Sequence, residues 1–331
     1  MFQIKRTKEL LIIFYIFLNY FALNSQNVTY IDLSKAKFEE INAEKLFEEF
    51  EIVPLETHKD GLLKIRDHYY LTKKYIIAVT PLTAAYLFDR KTGAFIREIS
   101  SFGQGPDEYA GMIYERYGFD EKNNIIFASD GVNIGGSWKC INIETNRVES
   151  TIKRPLPEND KEIFYVCAPW LIKNNIYLSF SNNRSGKDNV RLIVFDIKGN
   201  VIKKYPHYLE YKKINNTFPG NNGIFYYYNE DTYFKEFRYN DTVFSVSEFN
   251  MSPHIIFESG DKQPSYYHQE DDEYNKGKYL IDFVYESDLF VLFNFVYYTE
   301  TMSYNTPIGN SISGKAPATH TGLYDKKNKQ A

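Results

Sequence analysis

An all-β fold assembled from repeated hairpin units is what this sequence predicts, and three observations carry the prediction. Tyr 29, Phe 26 and Trp 2 together make up 17% of the 331 residues, and aromatic side chains suit pleated, half-buried strands. From residue 51 onward, short aromatic and β-branched runs are broken by Gly, Asn, Asp and Pro, which is the punctuation of strands and turns. Finally, a unit recurs. LFDRKTGAFIREI (87–99) aligns with CINIETNRVESTI (140–152), placing Asn142 53 residues after Asp89, and VFDIKGNVIKKY (194–205) places Asp196 a further 54 residues on. Each copy reads as a strand, a polar turn and a returning strand, a β-hairpin. A period near 50 residues with about four strands per unit fits a propeller blade, which cannot bury both faces alone and must stack on its neighbours.

The chain opens with Lys5, Arg6 and Lys8, followed by an apolar stretch over 10–23 and a polar end near Ser25. That is the layout of a secretory signal peptide over residues 1–25, and the stretch is short of the roughly 20 apolar residues that span a bilayer. No membrane span is expected after cleavage, and no lipid anchor, because no Cys lies near the cleavage region. Residues 26–50 read as an N-terminal strand and a short helix, with Phe38, Ile41, Leu46, Phe47 and Phe50 at helical spacing over 37–50. The propeller is expected over 51–331: blade 1 at 51–99, blade 2 at 109–153, blade 3 at 162–205, blade 4 at 223–260, and blade 5 opening near residue 278. A Ser/Thr/Asn/Gly/Pro-rich insertion over 299–321 reads as a long loop inside blade 5.

The formal charge is −4, from 39 Lys+Arg against 43 Asp+Glu, which argues against nucleic acid as a partner. Cys140 and Cys167 are the two cysteines. An exported chain meets an oxidising compartment where they would have the chance to pair. Two separate buried thiols are the favoured reading, and neither Cys has a His at metal-ligand spacing.

Three segments carry a family resemblance. They are EIVPLET (51–57), FGQGPDEY (102–109) and FKEFRYNDTVFSV (234–246) followed by SPHIIF. Together they resemble the six-bladed β-propeller family of exported proteins common in Bacteroides and its relatives, a family similar to NHL-repeat propellers. EIVPLET looks like its opening strand. FGQGPDEY is similar to its GxGPGEY signature, with Asp107 where Gly is usual. FKEFRYNDT looks like its FKE-x-x-x-NDT hairpin. The signature positions here are Gly103, Gly105, Pro106, Glu108 and Tyr109 in the first turn and Asn240, Asp241 and Thr242 in the second. The resemblance implies six blades and export to the periplasm or cell surface, whereas about five blades are recognisable, so the last blade is expected to be incomplete. One alternative is that residues 28–33 join the C-terminal region to close a five-bladed ring.

Chemistry is harder to locate. FGQGP lacks the strand–loop–helix setting and Lys-Ser/Thr ending of a phosphate-binding loop, and reads as a tight turn between blades. No GxSxG, HExxH or EF-hand pattern occurs, and the six histidines are scattered. The acidic run Glu270, Asp271, Asp272 and Glu273 beside His268 reads first as a solvated loop, and second as an oxygen-ligand site for calcium. Tyr226, Tyr227, Tyr266 and Tyr267 fit inter-blade packing first, and stacking on a sugar ring second. The expected function is an exported binding or scaffolding module for a glycan, peptide or partner protein. A calcium-dependent propeller hydrolase or lyase, such as a lactonase, is the alternative, and a truncated non-functional family member is a third reading.

Overall fold

The computed structural model of the chain describes residues 28–36, 51–59, 63, 68–80, 84–103, 105–109, 119–120, 123–130, 136–155, 169–173, 175–181, 183, 185–214, 223–297, 318–329 and 331. The signal peptide, the 37–50 helix, Cys167 with its pairing, and the 299–317 part of the loop insertion lie outside these residues.

Five antiparallel sheets follow one another along the chain. Blade 1 is β2 (His68–Leu71), β3 (Tyr75–Thr80), β4 (Ala84–Asp89) and β5 (Phe95–Glu98), in that order across the sheet. Blade 2 is β6 (Phe119–Asp120), β7 (Ile125–Asp130), β8 (Ser137–Asn142) and β9 (Arg147–Lys153). Blade 3 holds β10 (Trp170–Lys173), β11 (Ile176–Phe180), β12 (Val190–Asp196) and β13 (Val201–Pro206). Blade 4 holds β14 (Gly223–Tyr228), β15 (Asp231–Glu236), β16 (Thr242–Val246) and β17 (Met251–Glu258). Among the described residues blade 5 has three strands, β18 (Leu280–Glu286), β19 (Phe290–Tyr297) and β20 (Ala318–Asp325). The first strand of each blade is the innermost: β6 touches β10, and β14 touches β18, across neighbouring blades.

The recurring Asp/Asn is the residue that makes each outer hairpin. Asp89 Oδ1 accepts the backbone N–H groups of Lys91 and Thr92 at 3.0 and 2.9 Å. Asn142 does the same for Glu144 and Thr145, Asp196 for Lys198 and Asn200, and Asp325 for Lys327 and Asn328. A short carboxylate or amide that satisfies its own following backbone folds the chain back without help from neighbours. In blades 1–3 the ladder between third and fourth strands slips just before this residue, at Leu87/Phe88, Cys140/Ile141 and Val194/Phe195. A bulge there increases the local twist of the outer strand.

Stacking buries the alternate residues of each sheet against the next. Ile77, Leu87, Ile126 and Ile141 join blades 1 and 2. Phe127, Trp138, Tyr177 and Phe195 join blades 2 and 3, Phe180, Val194 and Phe234 join blades 3 and 4, and Phe257, Val284, Phe293 and Tyr324 join blades 4 and 5. Each such side chain contributes on the order of 1.5–3 kcal/mol on burial.

Two expectations are corrected. EIVPLET is not an opening strand: residues 51–57 form no regular ladder. Pro54 supplies no N–H, and the segment instead lays Val53 and Leu55 on Ile76, Ala78 and Phe88 of blade 1. It is fastened by Glu56, whose N–H donates to Gly93 O at 2.8 Å and whose carboxylate accepts Phe95 N–H at 2.8 Å. The N-terminal strand β1 (Thr29–Asp32) does not close the ring with the C-terminal region. It adds to blade 4 as a fifth, parallel strand outside β17, in register Thr29↔Ile255 to Asp32↔Glu258. Ile31 and Leu33 decide this placement, because both are buried in the core between blades 4 and 5.

Candidate binding cleft

The hairpins between the first and second strands of blades 1–4 contribute residues to one cleft. In blades 1–4 these turns are Thr72–Lys74, Asn123–Asn124, Lys173–Asn175 and Asn229–Glu230. Asn124, Asn175, Asn229 and Glu230 have φ of 57°, 63°, 49° and 66°, the left-handed region that Asn tolerates best among side-chain-bearing residues. The tight turns keep the strand ends short, and a cleft of about 1130 Å³ opens among them. Its walls bring together Lys73, Asp120, Lys173, Tyr177, Tyr227 and Glu230 from four blades.

Most of the charge here is engaged locally. Asp120 accepts Asn123 N–H and its Nδ2 at 3.1 and 2.7 Å, and Glu149 accepts Asn142 Nδ2 at 2.7 Å. Lys74 pairs with Glu144 at 3.2 Å and Lys173 with Glu248 at 3.0 Å. Three lysines face three acids, with Asn and Thr amides and hydroxyls between them, so the cleft has no single-sign field of the kind that collects polyanions. Cys140 also lines it, and burial pushes that thiol up to about 11, which makes it a poor nucleophile.

Of the four candidate tyrosines, Tyr227 lines the cleft. Its ring lies 4.6 Å from Trp170 on the innermost strand of blade 3, its hydroxyl donates to Leu171 O at 2.5 Å, and 43% of the residue is exposed. Tyr226, the preceding residue on β14, points to the other side. It stacks on Tyr233 at 5.3 Å and donates to Glu286 at 3.1 Å. Tyr266 is buried, while Tyr267 is exposed on the connector after blade 4. The acidic run belongs to that same connector. Glu270 accepts Ile214 N–H at 2.5 Å, and Asp271 caps the short helix α1 (Asp272–Asn275) by accepting Tyr274 N–H at 3.0 Å. Glu273 lies 3.7 Å from Lys276. The side chain of Asp272 lies outside the described residues. Among the described residues no three His, Cys, Asp or Glu side chains converge as a metal requires.

The signature turns are structural fasteners. Glu108 accepts Gly105 N–H at 2.7 Å and folds its carboxylate over Gly103, where a Cβ would sit 1.9 Å from Oε2. Pro106 starts the turn that returns Glu108 N–H to Gly105 O. Lys139 of blade 2 donates to Glu108 O at 2.5 Å, and Tyr109 is fully buried between blades 1 and 2. Asp107, the departure from the usual Gly, accepts Val148 N–H of β9 at 3.0 Å, tying the turn to the outer strand.

In the second motif, Asn240 donates to Glu236 at 2.9 Å and accepts Thr242 N–H at 3.0 Å, and Asp241 accepts Thr242 Oγ1 at 2.7 Å. Around it lies a buried polar network that sequence reasoning missed. Lys235 and Glu236 are neighbours on β15 and point to opposite faces, yet both are buried. Lys235 Nζ donates to the carbonyls of Glu236, Asn240 and, across the blade interface, Ile281. Glu236 faces Arg191 at 3.7 Å, accepts Tyr266 O–H at 2.9 Å and lies 3.3 Å from His207 Nε2. His207 Nδ1 accepts Leu209 N–H, so Nε2 carries the proton given to Glu236. Burial alone would raise the Glu236 carboxyl, but the His207 hydrogen bond, Arg191 and Asn240 outweigh it and hold it near about 2. Burial lowers Lys235 to about 8. The readable signal was a consecutive Lys-Glu pair closing the apolar strand TYFKEF.

These features define an all-β, five-bladed propeller arrangement with a polar cleft on its turn face. The chain belongs to the family described as Domain of unknown function (DUF4934), which it matches over residues 28–331. No curated protein matches it. Among solved structures it is similar to an exported protein of Bacteroides fragilis, with a TM-score of 0.63 and 16% identity over 92% of this chain and 79% of that one. It is also similar to a member of the DUF4221 family from Bacteroides vulgatus, at 0.53 and 12% over 83% and 82%. Likeness at these identities carries the fold alone. Among the described residues no helix is long and apolar enough to cross a membrane.

Proposed function

We propose that this protein is an exported binding module that takes a neutral glycan or a peptide in the cleft formed by the first hairpin turns of blades 1–4. On this reading residues 1–25 direct it to the periplasm or cell surface, and the ring follows the plan of the six-bladed exported propellers. The carrying observation is the convergence of turns from four blades on one space of about 1130 Å³. Its balanced charge, its amide and hydroxyl groups and the half-exposed ring of Tyr227 suit a polar, uncharged ligand. The calcium-dependent hydrolase reading draws no support from the same cleft, where Asp120 and Glu149 are already held by Asn side chains.

The test is a glycan and peptide array probed with labelled wild-type protein and with the variants Tyr227→Ala and Tyr267→Ala. Hits that weaken at least about tenfold, roughly 1.4 kcal/mol, in Tyr227→Ala but persist in Tyr267→Ala are expected. Hits that ignore Tyr227→Ala would overturn the assignment of the cleft.

A further inference from the structure

On the reading that the cleft among the first hairpin turns holds the ligand, we propose that Tyr177 and Asp120 build a seat in its depth for one saccharide residue with two adjacent free hydroxyl groups, so that the ligand is a neutral glycan rather than a peptide. Tyr177 lies on β11 of blade 3 and Asp120 on β6, the innermost strand of blade 2, and both line the cleft. Each is only 6% exposed. They therefore stand in the depth of the cleft, with the half-exposed Tyr227 at its rim.

Both residues keep bonding capacity that the fold does not use. The Tyr177 ring packs edge-on to Phe127 at 6.2 Å and against Phe195 at 6.0 Å, but its hydroxyl has no hydrogen-bond partner among the described residues. Burial, with Cys140 and Asp120 adding to it, pushes that hydroxyl up to about 12, so it keeps a proton to donate. Asp120 accepts Asn123 N–H on one carboxylate oxygen and Asn123 Nδ2 on the other. Each oxygen has two lone pairs, so an acceptor position remains on each. Among the described residues no lysine, arginine or histidine forms an ion pair with Asp120, and Lys74 and Lys173 of the same cleft are held by Glu144 and Glu248.

An open donor beside an open pair of acceptors selects a ligand group that accepts and donates at once. A hydroxyl does both. One hydroxyl takes the Tyr177 proton while it and its neighbour give theirs to the two oxygens of Asp120. An ammonium group has donors only and would leave the Tyr177 proton without an acceptor. A peptide backbone carries its donor and acceptor on separate groups, and in an extended chain successive N–H groups point to opposite sides, so they do not converge on one carboxylate. Ile125 and Phe127 also line the cleft, an apolar wall that suits the C–H face of a sugar ring.

The probes are the methyl glycosides of glucose, galactose, mannose and fucose with their monodeoxy analogues, and, for comparison, acetyl-Ala-Ala-amide and acetyl-lysine methylamide, each titrated into the full chain by NMR. At least one glycoside is expected to saturate the wild-type protein. Tyr177→Phe removes an oxygen the fold does not use, so it should keep the wild-type melting temperature while weakening that glycoside about 3–10-fold. One deoxy analogue should be weakened about as much in the wild type and no further in Tyr177→Phe, because its partner is already gone. That non-additivity separates direct contact from a structural effect of the variant. The absence of any saturating glycoside, a glycoside affinity indifferent to Tyr177→Phe, or additive losses for every deoxy analogue would each overturn the seat. So would saturable binding of the dipeptide or the lysine amide that Tyr177→Phe weakens, which would give the seat to a peptide. Array hits that still weaken in Tyr227→Ala would in these cases leave the cleft standing, so the failure of the seat is distinguishable from the failure of the cleft.

Discussion

Glu236 is the residue on which the stacking of blades 3 and 4 turns. It is buried with Arg191 of β12, His207 after β13 and Tyr266 from the following connector, while its neighbour Lys235 reaches Ile281 of blade 5. Removing one member of a buried charged network leaves the others unpaired in a low dielectric, which costs about 3–5 kcal/mol. Glu236→Ala is therefore expected to lose about that much in urea unfolding. Glu273→Ala, whose side chain is 71% exposed beside Lys276, should stay within about 0.5 kcal/mol.

The same carboxylates set the acid limit. Glu236 is held near about 2, and Glu286 is also held low: burial would raise it, but His254 at 2.9 Å and Lys326 at 2.8 Å prevail. A carboxyl whose folded pKa is depressed stabilises the fold above its unfolded pKa, and that stability is lost as pH falls through the folded value. Unfolding free energy is thus expected to decline from about pH 4.5 toward about 2, and Glu286→Gln should flatten that decline. Lys235 acts at the other end of the scale. Its folded pKa lies near about 8 against an ordinary 10.5, so the unfolded chain holds the extra proton in that window and stability rises there with pH.

At the scale of elements, β1 makes the clearest prediction. It adds no blade of its own, yet Ile31 and Leu33 enter the core between blades 4 and 5, and burial of each contributes about 1.5–3 kcal/mol. A protein lacking residues 28–36 is expected to unfold about 3–6 kcal/mol more easily while keeping its β-sheet circular dichroism. Loss of all cooperative unfolding would show instead that β1 nucleates the ring.

What could be read from the sequence follows from how local each cause is. The outer hairpins were legible because Asp89, Asn142 and Asp196 fold their turns by their own hydrogen bonds, and local chemistry leaves a local pattern. The partner of β1 was not legible, since which sheet edge takes Ile31 is settled by a core made from residues more than 200 positions away. EIVPLET was read as a strand from its likeness to the family's opening strand, but its Val53 and Leu55 serve as a cover for blade 1. The cleft fell between these cases. Tyr226 and Tyr227 were visible as candidates for packing or stacking, but strand alternation sends Tyr226 into the interface with blade 5 and Tyr227 to the opposite side, against blade 3. Sequence spacing alone does not say which side is open.

Across the whole molecule, each blade is fastened to the next by an apolar core, and blade 4 is additionally fastened on both sides by charge, through Glu236 toward blade 3 and through Lys235 and Glu286 toward blade 5. That scaffold holds the first hairpin turns in place, with Lys74 and Lys173 paired to Glu144 and Glu248 of the neighbouring blades, and loops positioned by a rigid scaffold are where recognition is commonly placed. The central claim is that ligand is held there. The most direct measurement is hydrogen exchange by mass spectrometry on the wild-type protein, with and without the strongest binder from the arrays. Protection confined to peptides covering 72–74, 123–124, 173–175 and 229–230 is the predicted footprint. Protection falling instead on the 260–279 connector, with these four turns unchanged, would contradict the claim.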